Sequence, residues 1–92
     1  MIAYAECEFQ LSHSHSLKEK RAVLQRVLSR VKRQYNVSIA EVDHQDTWQR
    51  TAIELVAVAS SQHIAERELH RALKLMGSFP EWEQLNVTID FL

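Results

Sequence analysis

The chain has 92 residues, with eleven Lys and Arg against twelve Asp and Glu for a net charge of −1, enough for one domain with a thin core. Its single cysteine excludes an intrachain disulfide, its single glycine excludes a glycine-rich phosphate loop, and no apolar run approaches the roughly 18 residues of a membrane span. A strand pattern begins at Ile2, without the basic and apolar regions of a signal peptide, so the expected setting is the cytoplasm, away from any membrane.

From Met1 to Leu11, Ala3, Ala5, Cys7, Phe9 and Leu11 alternate with Ile2, Tyr4, Glu6, Glu8 and Gln10. This period of two predicts a first strand whose small side chains let a helix approach closely. Ser12 to His15 is a short polar loop. The longest periodic segment follows, from Ser16 to Tyr35, where Leu17, Leu24, Val27, Leu28, Val31 and Tyr35 line one side of a helix. Ser16 and Glu19 have capping-box spacing, which starts this helix at Leu17. Leu24, Val27, Leu28 and Val31 are expected to be buried against the alanine side of the first strand. Lys18, Lys20, Arg21, Arg26, Arg30, Lys32 and Arg33 fill most of the remaining cylinder, opposed there only by Glu19. The rest of the chain keeps four cations against eleven acids, so a basic helix on an otherwise acidic domain is expected.

Asn36 to Asp43 reads as a second strand and Thr51 to Ala59 as a third, apolar on both faces and therefore central. If Val37 and Ile39 face the helices, strict alternation turns Glu41 and Asp43 the same way. Projection of strand two beyond the helical layer is the expected solution, a bulge that switches faces being the other. In the polar connection that follows, Asp46 and Gln49 predict a single helical turn at Thr47 to Gln49. Ser60 or Ser61 caps a second helix with Ala65, Leu69, Ala72, Leu73 and Met76 inward, Gly77 as a left-handed cap and Pro80 as a stop. Leu85, Val87, Ile89 and Phe91 then alternate with polar residues as strand four. Asn36-Val37-Ser38-Ile39 after the first helix is echoed by Asn86-Val87-Thr88-Ile89 after the second. The order β-α-β-β-α-β predicts a single α+β domain with a ferredoxin-like fold, a four-stranded antiparallel sheet with two helices on one face.

Two segments taken together, Ser16-Leu17-Lys18-Glu19-Lys20-Arg21 and Asn36-Val37-Ser38-Ile39-Ala40-Glu41-Val42-Asp43-His44-Gln45-Asp46-Thr47-Trp48-Gln49-Arg50, resemble the YlxP-like family of small bacterial proteins, a domain of unknown function. The resemblance covers nearly the whole length. It implies a ferredoxin-like fold and a cytosolic setting. It also implies a neighbourhood, in many bacteria, of genes for transcription elongation, translation initiation and ribosome maturation. It implies no catalytic residue, and His13-Ser14-His15 departs from the family pattern.

Asp43, His44 and Asp46 are metal-ligand types within four positions, yet they read more simply as a capped turn with solvated acids and a tucked Trp48. His13 and His15 lack a third ligand, and Cys7 sits among core residues where a thiol is inert. Leu11 to Ser16 has neither the glycine nor the arginine of the phosphate cradle used by acylphosphatases of similar fold and size. No enzyme, cofactor, metal or small-molecule substrate is therefore expected. Glu6, Glu8 and Glu54 argue against base stacking on the sheet in the manner of an RNA-recognition motif. The candidate nucleic-acid surface is Arg26, Arg30 and Arg33 on the first helix, with Lys18 or Lys32. The candidate dimer interface is Ile2, Tyr4, Val56 and Val58, on the sheet face that no helix covers or an adjoining edge. A non-catalytic accessory protein acting near the ribosome or structured RNA is expected, the alternative being a homodimeric protein-binding module with no nucleic-acid role.

Overall fold

Six elements follow in order: β1 (Ile2–Gln10), α1 (Leu17–Gln34), β2 (Ser38–Asp43), β3 (Arg50–Val58), α2 (Gln62–Gly77) and β4 (Glu83–Phe91). They are seen in a computed structural model that describes residues 1–92. The strands form one antiparallel sheet in the order β2-β3-β1-β4, with both helices on one face, which is the ferredoxin-like arrangement. Alternation in β1 and β3 does what its period requires: Ala3, Ala5, Cys7 and Phe9 point inward beside Ile53, Leu55 and Ala57. Ala65, Leu69, Ala72 and Met76 of α2 close over them, while Leu24, Val27 and Val31 of α1 join the same core from beside β2 and α2, not against the alanine side of β1 expected for this stripe. Each large aliphatic side chain so buried contributes about 1.5 to 3 kcal/mol. Leu28, expected in this stripe, is only half-buried. It packs at the margin of the core, whereas Lys20, two turns earlier on α1, is fully buried with its side chain 0% exposed.

The helix starts follow from their caps. Ser16 accepts a hydrogen bond from the amide of Glu19 at 3.1 Å, while the Glu19 carboxylate takes the amide of His15 at 2.7 Å, one residue earlier than a capping box would have it. Ser61 caps α2 by accepting from Ile64 at 3.2 Å. Gly77 is not a left-handed cap. No glycine has positive φ, α2 runs through Gly77, and the amide of right-handed Ser78 closes its last turn onto Leu75 and Met76. Beyond it, Trp82 is buried, stacked on Phe9 with ring centroids 4.0 Å apart, and its indole N–H donates to the Met76 carbonyl at 2.7 Å.

Strand two solves the problem of its acids by a bulge and an ion pair rather than by projection. Its register with β3 shifts between Glu41 and Asp43, so Val42 is the extra residue. Glu41 stays on the helix side opposite Ile53, and Asp43 is carried to the bare face opposite Ala52. No helical turn forms at Thr47 to Gln49. The chain turns at Gln45 and Asp46, closed by the Thr47 amide on the His44 carbonyl at 3.0 Å, with His44 left-handed at φ 62°. The Gln49 side chain is spent elsewhere, donating to the carbonyls of Ser12 and Ser14 at 3.2 and 3.1 Å. Trp48 is not tucked but 52% exposed.

Candidate functional site

Helix α1 presents its charges in two groups. Lys18, Arg21, Lys32 and Arg33 are exposed and make no ion pair, whereas Arg26 pairs with Glu81 and the Arg30 guanidinium lies 5.8 Å from the centre of the Phe79 ring. The arginine row at 26, 30 and 33 is thus split, its first two members drawn toward the turn between α2 and β4. Three further exposed cations, Arg67, Arg71 and Lys74, lie on α2, which the sequence pattern left out of the basic surface. The two helices together expose nine cations, six on α1 and three on α2, and their acids are Glu19, Glu66 and Glu68.

The opposite face of the sheet has the contrary sign. Ile2 stands opposite Val58 and Tyr4 opposite Val56, so the four apolar residues form one patch at one end. Toward the other end Glu6 stands directly opposite Glu54, with Thr88 on its other side, and Glu8 and Asp43 lie farther along. Arg50 pairs with Glu8 at 2.6 Å and is the one cation on this face. Like charges directly opposite one another cost stability, and an acidic surface of this kind repels phosphate. The charge contrast is therefore between the layers of the molecule, not between α1 and everything else.

Lys20 joins α1 to the connection between β2 and β3. Its ammonium donates to the carbonyls of His44 and Thr47, the latter at 2.7 Å, and pairs with Glu41 at 3.0 Å. Thr51 donates its hydroxyl proton to the same Glu41 oxygen at 2.6 Å. A buried ammonium is tolerated only when all its donors are satisfied, and here three acceptors converge on it. Together with the Gln49 bonds and the Leu11 amide on the Gln49 carbonyl at 2.9 Å, this ties the connection to both α1 and the loop before it.

Residues 2–89 match the family model described as "Protein of unknown function (DUF503)". The chain belongs to the DUF503 family. The protein described as "Uncharacterized protein YlxP" of Bacillus subtilis (strain 168) is 54% identical over 84 residues, 91% of each chain. Among solved structures, the de novo designed protein Foldit4 superposes with a TM-score of 0.63, covering 100% of this chain and 99% of its own, at 15% identity. That likeness speaks for the fold alone.

In this DUF503 member the two segments that carry the family resemblance meet in space, because Lys20 in the first bonds Glu41, His44 and Thr47 in the second. Of the acids and histidine in the second, Asp43 accepts the backbone amide of His44 at 2.7 Å, and the His44 ring lies 3.8 Å from Glu8. His13 and His15 are exposed. Burial pushes the Cys7 thiol up from 9.0 to about 12, and its proton is directed at the Ile53 carbonyl 3.5 Å away, the setting of an unreactive thiol.

Proposed function

We propose that this DUF503 protein is a non-catalytic, cytoplasmic accessory protein that docks on structured RNA, such as that of the ribosome, through its helical layer. The observation that carries this reading is the nine exposed cations on α1 and α2 behind an acidic sheet face, which leaves phosphate one side to approach. Lys18, Lys32 and Arg33 are the leading contacts, joined by Arg21. Arg26 and Arg30 contribute less, because each already has an intramolecular partner. If three to five phosphates are neutralised, log affinity for ribosomal RNA falls against log salt with a slope of about −2 to −5. Replacing Lys18, Arg21, Lys32 and Arg33 with glutamine flattens that slope without unfolding the domain, since all four lie off the buried stripe. A variant that binds with unchanged affinity and slope would overturn the reading.

A homodimeric protein-binding module is the second reading, favoured by the cross-strand patch of Ile2, Tyr4, Val56 and Val58, where Val58 is 62% exposed. Capture from cell extract separates the two. Ribonuclease abolishes capture on the first reading and leaves it intact on the second.

A further inference from the structure

The two edges of the sheet are built differently. The edge at β2 is six residues long, bulged at Val42 and acidic at Glu41 and Asp43, all devices that discourage another strand from pairing there. The edge at β4 is nine residues long, has no lysine, arginine or proline, and is uncharged from Gln84 to Ile89.

The free hydrogen-bonding groups of β4 can be assigned from its register. The Leu92 amide bonds the Ile2 carbonyl at 2.9 Å, and in antiparallel pairing bonded pairs recur at every second residue. Asp90 opposite Tyr4 and Thr88 opposite Glu6 therefore turn their backbone groups to β1. The N–H and C=O groups of Val87, Ile89 and Phe91 point outward, away from the ladder, and of these the Phe91 N–H donates to the Asp90 carboxylate at 2.9 Å. Their side chains are also incompletely covered, because α2 sits mainly over β1 and β3: Val87 and Ile89 are half-buried and Phe91 is 36% exposed.

We propose that two copies of this chain pair their β4 edges antiparallel about Ile89, fusing two four-stranded sheets into one. This register engages every outward N–H and C=O of Val87, Ile89 and Phe91, the Phe91 N–H exchanging the Asp90 carboxylate for the Val87 carbonyl of the second copy. On the helix side it sets Val87 against Phe91 of the second copy and Ile89 against its own counterpart, apolar on apolar in each case. On the bare side Thr88 meets Asp90 of the second copy, a hydroxyl facing a carboxylate. A register centred on Val87 would instead draw the bulge at Leu85 into the ladder. The dimer so formed leaves the helical layer and the Ile2, Tyr4, Val56 and Val58 patch uncovered, and it does not depend on RNA.

Sedimentation equilibrium of the full chain at tens of micromolar, without RNA, tests the proposal. The native protein is expected to be a dimer. Phe91→Pro removes an outward N–H that in the monomer meets only the exposed Asp90 carboxylate and not the ladder, a place where an edge strand accepts proline, and is expected to weaken the dimer at least about tenfold. In a Thr88→Cys and Asp90→Cys double variant the two new thiols face each other across a non-hydrogen-bonded pair. Their Cα atoms stand about 4.5 Å apart, within disulfide reach, so mild oxidation gives a covalent dimer. Buried Cys7 does not compete. A native monomer would overturn the proposal, as would a double variant that stays monomeric on a non-reducing gel. A dimer broken by Val56→Lys but not by Phe91→Pro would move the interface to the sheet face and equally overturn it.

Discussion

Lys20 and Glu41 show how much one side chain decides here. Removing only the ammonium leaves the Glu41 carboxylate and two carbonyls short of a donor, so Lys20→Met should destabilise the domain by about 3 kcal/mol in urea titration. Replacing both partners with apolar residues, Lys20→Met with Glu41→Leu, should recover most of that loss, since a buried pair is often no better than an apolar pair of similar volume. The clue to this burial lay in the sequence, because Lys20, Leu24, Val27 and Val31 fall at four-, three- and four-residue steps. A lysine in an apolar stripe and an acid at an inward strand position, twenty-one residues on, call for each other. Leu28 was the misleading residue: apolar, but turned to the flank of α1. Leu28→Ala should therefore cost less than Leu24→Ala, for which about 2 to 5 kcal/mol is expected. Cys7 adds a pH-dependent contribution of known sign. The folded state holds its proton more tightly than the unfolded chain, so the contribution is complete below pH 9.0 and is lost as pH rises toward about 12. A thiol reagent at pH 8 should label Cys7 only at the rate at which the protein opens.

At the scale of elements, both helices and all four strands were legible because period and capping agreed: Ser16 and Ser61 stand where α1 and α2 begin. The connections were less so. Asp46 and Gln49 have the spacing of a capping box, but the Gln49 amide is drawn to the carbonyls of Ser12 and Ser14, which belong to a loop distant in sequence. Trp82 carried no periodic signal, and its burial depends on Phe9 and on the Met76 carbonyl at the end of α2. Gly77 looked like punctuation and is an ordinary helical residue. A Cβ there would meet its nearest neighbour, the Gln84 side-chain oxygen, at 3.7 Å, an ordinary contact. Gly77→Ala should therefore stabilise the domain by about 0.4 to 1 kcal/mol through the unfolded chain, seen as a raised thermal midpoint. Loss of the cap in Ser61→Ala should cost about 1 kcal/mol in the same measurement.

For the whole molecule, net charge and charge layout make opposite predictions. With a net charge of −1 the protein should pass an anionic support, yet its helical side exposes nine cations while Glu6, Asp43, Glu54 and Asp90 lie on or beside the far face. Screening decides between them. At about 0.15 M salt the Debye length is about 8 Å, short enough that a polyanion touching the helices is governed by the cations it meets rather than by acids behind the sheet. The protein should therefore be retained on heparin at about 50 mM salt and released as salt rises through about 200 mM. Glu6→Gln with Glu54→Gln raises the net charge from −1 to +1 and should leave retention unchanged, although a net-charge account requires it to increase. Replacing Lys18, Arg21, Lys32 and Arg33 with glutamine should abolish retention, and replacing Arg26 and Arg30 should reduce it less, since Glu81 and Phe79 already hold them. If the acid-face pair shifts elution as strongly as the helical variants do, the layered charge is not what the polyanion reads, and the RNA-docking proposal loses its physical basis.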